Sequence, residues 1–520
     1  MSILLVTVNS KKKNYGITAS SLSAIAPNIP LGILESYLSS KDIPVKIIDS
    51  DVHNYDIDDL IQIIDKEKPI LLGVVSSGSN PSASTMTMVG VLQFFEKYNN
   101  LQSKPCPTFI IGGHPTVLPE RSLIETKSDF VVIGEGYQAV EGLFNHYQNG
   151  TPLSTIPGIG YFDGDTYLSN GIPELLDVAT LPMINWEKMD PSGYRAHNWH
   201  CFGKDINNRQ PYAIIWTNQG CPYPCDFCSI NNIFGKRRYR LRTMEEVVSE
   251  IDVLVNDYGV RNLKILDELF ITKHKRMIEF CELLEDRKYD LNMWCFARTD
   301  TVTPETLKRL KGVGVNWVAY GFESFNVDTL TSTNKRIKKG PNGFDVLDTI
   351  KMTRDAGMHI CADVIAGLWD DDEKAILHTR DFMLEHLFEW VNIYPCFAYP
   401  GTPLYEKYIN EGRIPIPENW ETYGLYSKEC VPLPTKHLPS SEVLRLRDHV
   451  FDSYYKEPAI LSMLEKTFGV ETREHVEEMV KFPLERKIIS NNIKSSNIDF
   501  ENLIIANKNT PNWYKGELFV

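Results

Sequence analysis

The chain has 520 residues, enough for two or three domains, and its 42% hydrophobic and 23% charged residues are those of an ordinary folded protein with a core. A formal net charge of −14 argues against a general nucleic-acid or anionic-membrane surface. The opening MSILLVTVNS has no basic stretch ahead of a long apolar run, and the apolar runs elsewhere are short, which predicts no secretion signal, no spanning helix and a cytoplasmic location.

Residues 1–150 alternate short apolar runs with helical patterns. Strands are expected at Ile3–Val6, Val45–Ile48, Leu71–Val75, Thr108–Ile111 and Phe130–Ile133, and helices at Leu31–Leu38, Ile57–Ile64 and Met86–Tyr98. Alternation of this kind, with near-continuous apolar strands, predicts a doubly wound parallel (Rossmann-like) α/β sheet. Small residues follow three of the strands: Ser76-Ser77-Gly78-Ser79-Asn80, Gly112-Gly113-His114 and Gly134-Glu135-Gly136. Such residues let the backbone approach a large ligand, and open α/β sheets bind ligands at these strand ends.

Residues 151–205 read as a linker, punctuated by Pro157, Pro173, Pro182 and Pro191. Within it, Tyr194 to His200 holds two histidines and a tryptophan, which suits either a packed crossing or a substrate entrance. From 206 to 410 the alternation resumes with strands expected at Tyr212–Trp216, Leu263–Leu266, Met293–Ala297, Trp317–Tyr320, His359–Ile365 and Val391–Tyr394. Six β/α repeats predict a partial (β/α)6 barrel, whose chemistry belongs at the C-terminal ends of its strands. Tyr399, Thr402 and Tyr405 follow the sixth strand and are possible substrate contacts. Residues 411–520 read as mainly helical.

Seven of the ten cysteines are scattered, and three are bunched in Cys221-Pro222-Tyr223-Pro224-Cys225-Asp226-Phe227-Cys228, directly after the first barrel strand. Thiolates are the usual ligands of iron–sulfur clusters. Three of them on a [4Fe–4S] cluster leave one iron open to chelate S-adenosylmethionine. The alternatives are a zinc site, which needs a fourth ligand such as His200 or Cys201, and unrelated buried cysteines.

On this triplet, its barrel and the glycine-rich N-terminal part, the chain resembles the radical S-adenosylmethionine superfamily, in the branch with a cobalamin-binding domain. The resemblance covers about residues 1–410 and implies three cofactors: a [4Fe–4S] cluster on Cys221, Cys225 and Cys228, S-adenosylmethionine, and cobalamin. It implies S-adenosylmethionine contacts at Phe227, Asp267, Glu268, Arg298, Glu323, Ile365 and Gly367. It implies cobalamin contacts at Ser76, Ser77, Gly78, Asn80, Gly112, Gly113, His114, Gly134, Glu135 and Gly136. No Asp-x-His-x-x-Gly loop follows the first strand, and His53 reads as a surface residue, so cobalt is expected without a protein histidine.

The implied activity is methyl transfer to an unactivated carbon of a small biosynthetic substrate, started by a 5′-deoxyadenosyl radical. Rearrangement, oxidative cyclisation or dehydrogenation would use the same opening step, and a non-enzymatic zinc protein is the remaining alternative. The expected partners are a small-molecule substrate and a low-potential electron donor such as flavodoxin or ferredoxin, with no nucleic acid and no membrane.

Overall fold

Five apolar segments near the N-terminus, β1 (Ile3–Val6), β2 (Val45–Ile48), β3 (Leu71–Ser76), β4 (Thr108–Gly112) and β5 (Phe130–Val132), pair in parallel in the order β2-β1-β3-β4-β5. This computed structural model describes residues 2–16, 23–78, 80, 82–331, 333–335, 345–482 and 484–492; Ser79 lies outside them. Alternate residues of β1 serve opposite faces of the sheet. Ile3 and Leu5 enter one core, while Leu4 and Val6 enter another with Phe94, Phe95 and Ile110.

The linker expected over 151–205 is not free of regular structure. Its first part forms an antiparallel hairpin, β6 (Ile159–Asp163) with β7 (Thr166–Ser169), that extends the same sheet beyond β5. The turn is Gly164-Asp165, with Gly164 at φ 58°, a two-residue hairpin signal that the prolines around it obscure. The sheet therefore runs on past residue 150 to Ser169, with β2 and β7 as its edge strands.

The second sheet is the expected barrel. Its order is β15-β14-β13-β12-β11-β8, all parallel: β8 (Tyr212–Ile215), β11 (Asn262–Ile265), β12 (Asn292–Ala297), β13 (Val315–Glu323), β14 (His359–Ala366) and β15 (Trp390–Pro395). Between β8 and β11, Asn218–Gln219 (β9) pairs antiparallel with Arg240–Leu241 (β10). The helix Met244–Asn256 begins with the expected capping box of Thr243 and Glu246.

The N-terminal end of the barrel is plugged by aromatic rings. Trp199 sits 5.0 Å from Trp294 and 5.2 Å from Trp317, and Phe468 from the C-terminal helices stacks on Trp317. The helices Ser440–Tyr455, Pro458–Phe468 and Val470–Met479 close the side of the barrel beside β15; Tyr455 Oη accepts from Val391 N and donates to Val391 O there. Among the described residues, no helix is long and apolar enough to cross a membrane.

Candidate active site

The cysteine loop leaves β8 and is held by its neighbours before any ligand is considered. Asp267, just after β11, accepts from Thr217 N at 2.7 Å and from Asn218 Nδ2 at 2.7 Å. Gly220 lies at φ 85°, and a Cβ there would come within 2.4 Å of the Arg238 carbonyl, so only glycine fits. Asn231 binds both backbone groups of Cys221, accepting from its N at 3.1 Å and donating to its O at 2.9 Å. Cys228 N closes a turn on Cys225 O at 3.2 Å.

All three thiols face one cavity of about 1060 Å³. Burial pushes all three thiols up, Cys221 to about 11. Among the described residues, no three His, Cys, Asp or Glu side chains converge as they would around one ion. The residues considered for a fourth zinc ligand are engaged elsewhere. His200 binds the Asn292 carbonyl at 2.8 Å at the other end of the barrel, and Cys201 is fully buried. Three half-buried thiols lining one cavity, with neither His200 nor Cys201 beside them as a fourth ligand, suit a multi-iron cluster rather than zinc, which draws four ligands to about 2.0–2.3 Å.

Of the residues expected around S-adenosylmethionine, Phe227, Glu268, Arg298, Glu323 and Ile365 line this cavity. Arg298 lies over the Tyr223 ring at 3.8 Å and pairs with Asp300 at 2.8 and 2.9 Å. Glu323 sits at φ 63°, where the β13–β14 register shifts, and binds Lys335 Nζ at 2.5 Å. A non-glycine residue in the left-handed region is held there by its surroundings, a common mark of a functional position.

Two expected contacts are not on the cavity. Asp267 spends its oxygens on the cysteine loop, as described. Gly367 donates its N to Asp371 at 2.9 Å, and a Cβ there would strike Val443 at 2.5 Å, so it serves helix packing.

The barrel interior carries polar groups that the sequence reading missed. Lys264 on β11 is buried under Trp294 and Phe296 at 4.7 and 5.3 Å, and burial lowers its ammonium to about 8. Asp363 on β14 accepts from Asn392 Nδ2 at 2.8 Å, and burial raises it to about 7. Beside them the expected Glu268 is likewise raised by burial, to about 7. Single charged residues between apolar ones, as in Leu263-Lys264-Ile265 and Ala362-Asp363-Val364, were the available signal.

The same cavity runs to the C-terminal ends of β1, β2 and β3. There Ser77, Gly78 and Asn80 line it, as expected, beside Thr7, Asn28, Asp49 and Asp51. In the order β2-β1-β3-β4-β5 the point between β1 and β3 is where the crossovers part, and ligands bind at such switch points.

The other expected cobalamin contacts do not line the cavity, because the chain itself fills their surroundings. Ser76 Oγ binds Ser84 O at 3.1 Å. Gly112 packs so close to Ser76 that a Cβ would meet its carbonyl at 2.0 Å, and Gly113 opens a short helix. His114 is buried, its Nδ1 3.2 Å from Thr85 Oγ1 and its ring 4.4 Å from Trp420; burial lowers it to about 3. Gly134 N donates to Thr116 Oγ1, Glu135 pairs with Arg240 at 2.6 Å, and a Cβ on Gly136 would meet Ile111 at 2.2 Å.

His53 is exposed and stacks on Tyr55. Of the segment Tyr194 to His200, His197, Asn198 and Trp199 reach the cavity, while His200 belongs to the plug. Tyr399 lines the cavity; Thr402 caps the helix Pro403–Asn410, and Tyr405 is buried.

The volume exceeds the roughly 300–1,000 Å³ of ordinary single-ligand sites, and the cavity joins a doubly wound sheet edge to a thiol-lined barrel mouth. Comparison with known proteins agrees with that division. Residues 217–383 match the radical SAM superfamily and residues 16–144 match the B12 binding domain. The chain thus belongs to the radical S-adenosylmethionine superfamily, in the branch that carries a B12-binding domain, and is an enzyme whose cofactors are a [4Fe–4S] cluster, S-adenosylmethionine and cobalamin.

An uncharacterized methyltransferase of Pyrococcus horikoshii is 26% identical over 471 residues, covering 89% of this chain and 94% of that protein. The fold is similar to that of TsrM from Kitasatospora setae, a radical S-adenosylmethionine methyltransferase solved with cobalamin and a [4Fe–4S] cluster (TM-score 0.62, 13% identity, 92% of this chain and 99% of that one). It is also similar to OxsB, solved with aqua-cobalamin and S-adenosylmethionine (TM-score 0.63, 15% identity, 97% and 78%).

Proposed function

We propose that the protein is a cobalamin-dependent radical S-adenosylmethionine methyltransferase acting on a carbon of a small molecule. The observation that carries this reading is the single cavity shared by the three cysteines and by the ends of β1 and β3. When bound, the cluster with S-adenosylmethionine supplies a radical that removes hydrogen, and cobalamin supplies the methyl group. The methyltransferase relative over nearly the whole chain supports methyl transfer over other radical outcomes.

In this reading Cys221, Cys225 and Cys228 hold the cluster, on a loop fixed by Asp267 and Asn231. Phe227, Glu268, Arg298, Glu323 and Ile365 surround S-adenosylmethionine, and Gly367 and Asp267 support them from behind. Ser77, Gly78 and Asn80 approach cobalamin from the sheet edge, with the Gly112–His114 and Gly134–Gly136 turns as their scaffold. The buried Trp199, Trp294 and Trp390 keep water from the barrel floor, which protects a radical from quenching. Lys264, Asp363 and Asn392 then present polar groups to the substrate. The reducing electron comes from an outside low-potential donor of the flavodoxin or ferredoxin type.

The test is anaerobic turnover of iron-, sulfide- and cobalamin-reconstituted protein with a chemical reductant and candidate substrates. Methyl transfer yields 5′-deoxyadenosine and S-adenosylhomocysteine together with a methylated product. Sustained 5′-deoxyadenosine without S-adenosylhomocysteine would overturn methylation in favour of rearrangement or oxidation.

A further inference from the structure

The sequence Lys236-Arg237-Arg238-Tyr239-Arg240-Leu241-Arg242 puts five cations in seven residues of a chain whose net charge is −14. The structure divides them into two sets. Arg240 and Arg242 turn inward and are neutralised, by Glu135 at 2.6 Å and by Glu250 at 2.7 Å. Lys236, Arg237 and Arg238 are exposed.

Their position is tied to the cysteine loop. The Arg238 carbonyl lies against Gly220, the residue before Cys221, and Arg240 and Leu241 pair with Gln219 and Asn218. The backbone carrying these cations is therefore in direct contact with the backbone carrying the first cluster thiol. Tyr239 Oη donates to Thr272 Oγ1 at 2.8 Å, and Thr272 is followed by the exposed Lys273 and Lys275. Tyr239 itself is half-buried between this surface and the cysteine loop.

We propose that this basic surface is where an acidic one-electron carrier protein docks, delivering its electron to the cluster through the Arg238–Gly220–Cys221 contact. The inference rests on the cofactor reading above, since it supposes a cluster on Cys221. Cleavage of S-adenosylmethionine there consumes one electron, and the Arg238–Gly220 contact gives it a short backbone route to the loop of Cys221. Each docking moves one electron and breaks no bond: the carrier is oxidised by one electron and the cluster is reduced by one. Exposed cations that pair with no carboxylate among the described residues steer an acidic partner from solution and fix its orientation. A nucleic acid or anionic membrane would also answer to positive charge, but a local patch on a strongly acidic molecule repels an extended polyanion over the rest of its surface.

The test is the triple charge reversal Lys236→Glu, Arg237→Glu, Arg238→Glu in the reconstituted protein. Binding of an acidic flavodoxin is measured by surface plasmon resonance at two ionic strengths, and cluster reduction by the flavodoxin hydroquinone is followed by stopped-flow absorbance. The wild type should bind in a salt-sensitive manner. The variant should bind at least tenfold more weakly, lose most of its salt dependence, and be reduced correspondingly more slowly. Cluster absorbance and 5′-deoxyadenosine formation with a small chemical reductant should match wild type.

Equal flavodoxin affinity and salt dependence in the variant would overturn the proposal. So would tighter, patch-dependent binding of duplex RNA or of phosphatidylglycerol vesicles than of flavodoxin. A wild type that makes no 5′-deoxyadenosine with the chemical reductant would instead overturn the cofactor reading, while the binding measurement still decides the docking surface.

Discussion

Cys228 is half-buried on the cavity wall; burial pushes its thiol well up, and its neighbours Glu268, Cys225 and Cys221 raise it further. A thiol in that position is a poor general nucleophile and needs a cationic metal to become a thiolate. Cys228→Ala should therefore abolish the visible absorbance of the reconstituted cluster and reduce 5′-deoxyadenosine to background. Unfolding in urea should change by no more than about 1 kcal/mol, as for a small buried truncation. A variant that keeps the absorbance would remove Cys228 from the ligand set. The second residue-scale prediction concerns Asp363, whose carboxyl burial raises to about 7. Because its folded pKa lies above the unfolded one, the folded state holds a proton that the unfolded chain releases, so stability falls as pH rises from about 4 to about 7. Asp363→Asn keeps the acceptor for Asn392 and removes the charge. The variant should gain on the order of 2 kcal/mol over wild type at pH 8 and nothing at pH 4, read from urea midpoints of the apoprotein. Equal midpoints at both pH values would place Asp363 in contact with solvent.

At the scale of elements, the loop between β8 and the helix Met244–Asn256 depends on the strand next to it. Asp267 reaches back from β11 to Thr217 and Asn218, so the cysteine loop is set by a carboxylate on the neighbouring strand end. Asp267→Leu leaves buried donors without an acceptor, at a cost of roughly 1–3 kcal/mol for each group lost. The expected outcome is a folded barrel with unchanged far-ultraviolet circular dichroism and a lower iron content per chain after reconstitution. Full iron loading would show that Asn231 alone fixes the loop. Elements of this kind mark the limit of sequence reading. The barrel strands, the cysteine spacing and the Thr243 capping box were legible because apolar periodicity and cap residues are local. The glycine turns were only partly legible because a glycine at a strand end signals close approach without naming what approaches. At Ser77–Gly78 the neighbour is the cavity; at Gly112 and Gly136 it is the chain itself. Lys264 and Asp363 were missed because a charged residue inside an apolar strand gains meaning only once the strands curve and point it inward.

Across the whole molecule, the regions that the sequence separates share one core. A continuous set of buried side chains includes Ile3 and Leu5 of the first sheet, Trp186 and Trp199 of the connecting segment, Ile214 and Val318 of the barrel, and Val450 and Val476 of the C-terminal helices. The second core also crosses that division, packing Val6 and Phe94 with Trp420 and Leu444. Arg447, only 1% exposed, is tied to the Ile393 carbonyl of β15 and to Asp448, which binds Arg486 in turn. Independent domains meet across small polar interfaces and unfold separately, whereas shared apolar cores couple them. The apoprotein should therefore lose tryptophan fluorescence and helical circular dichroism in a single coincident urea transition. Trp199 tests the coupling, because it belongs to neither sheet yet touches Trp294, Trp317 and Trp390. Trp199→Ala should lower stability by about 3–5 kcal/mol, as for large core truncations, and should move both signals together. Two transitions in the variant, with the first sheet unfolding at its wild-type midpoint and only the barrel shifted, would show that the B12-binding part and the barrel are stable apart. The cavity between them would then be a hinge rather than a fixed chamber.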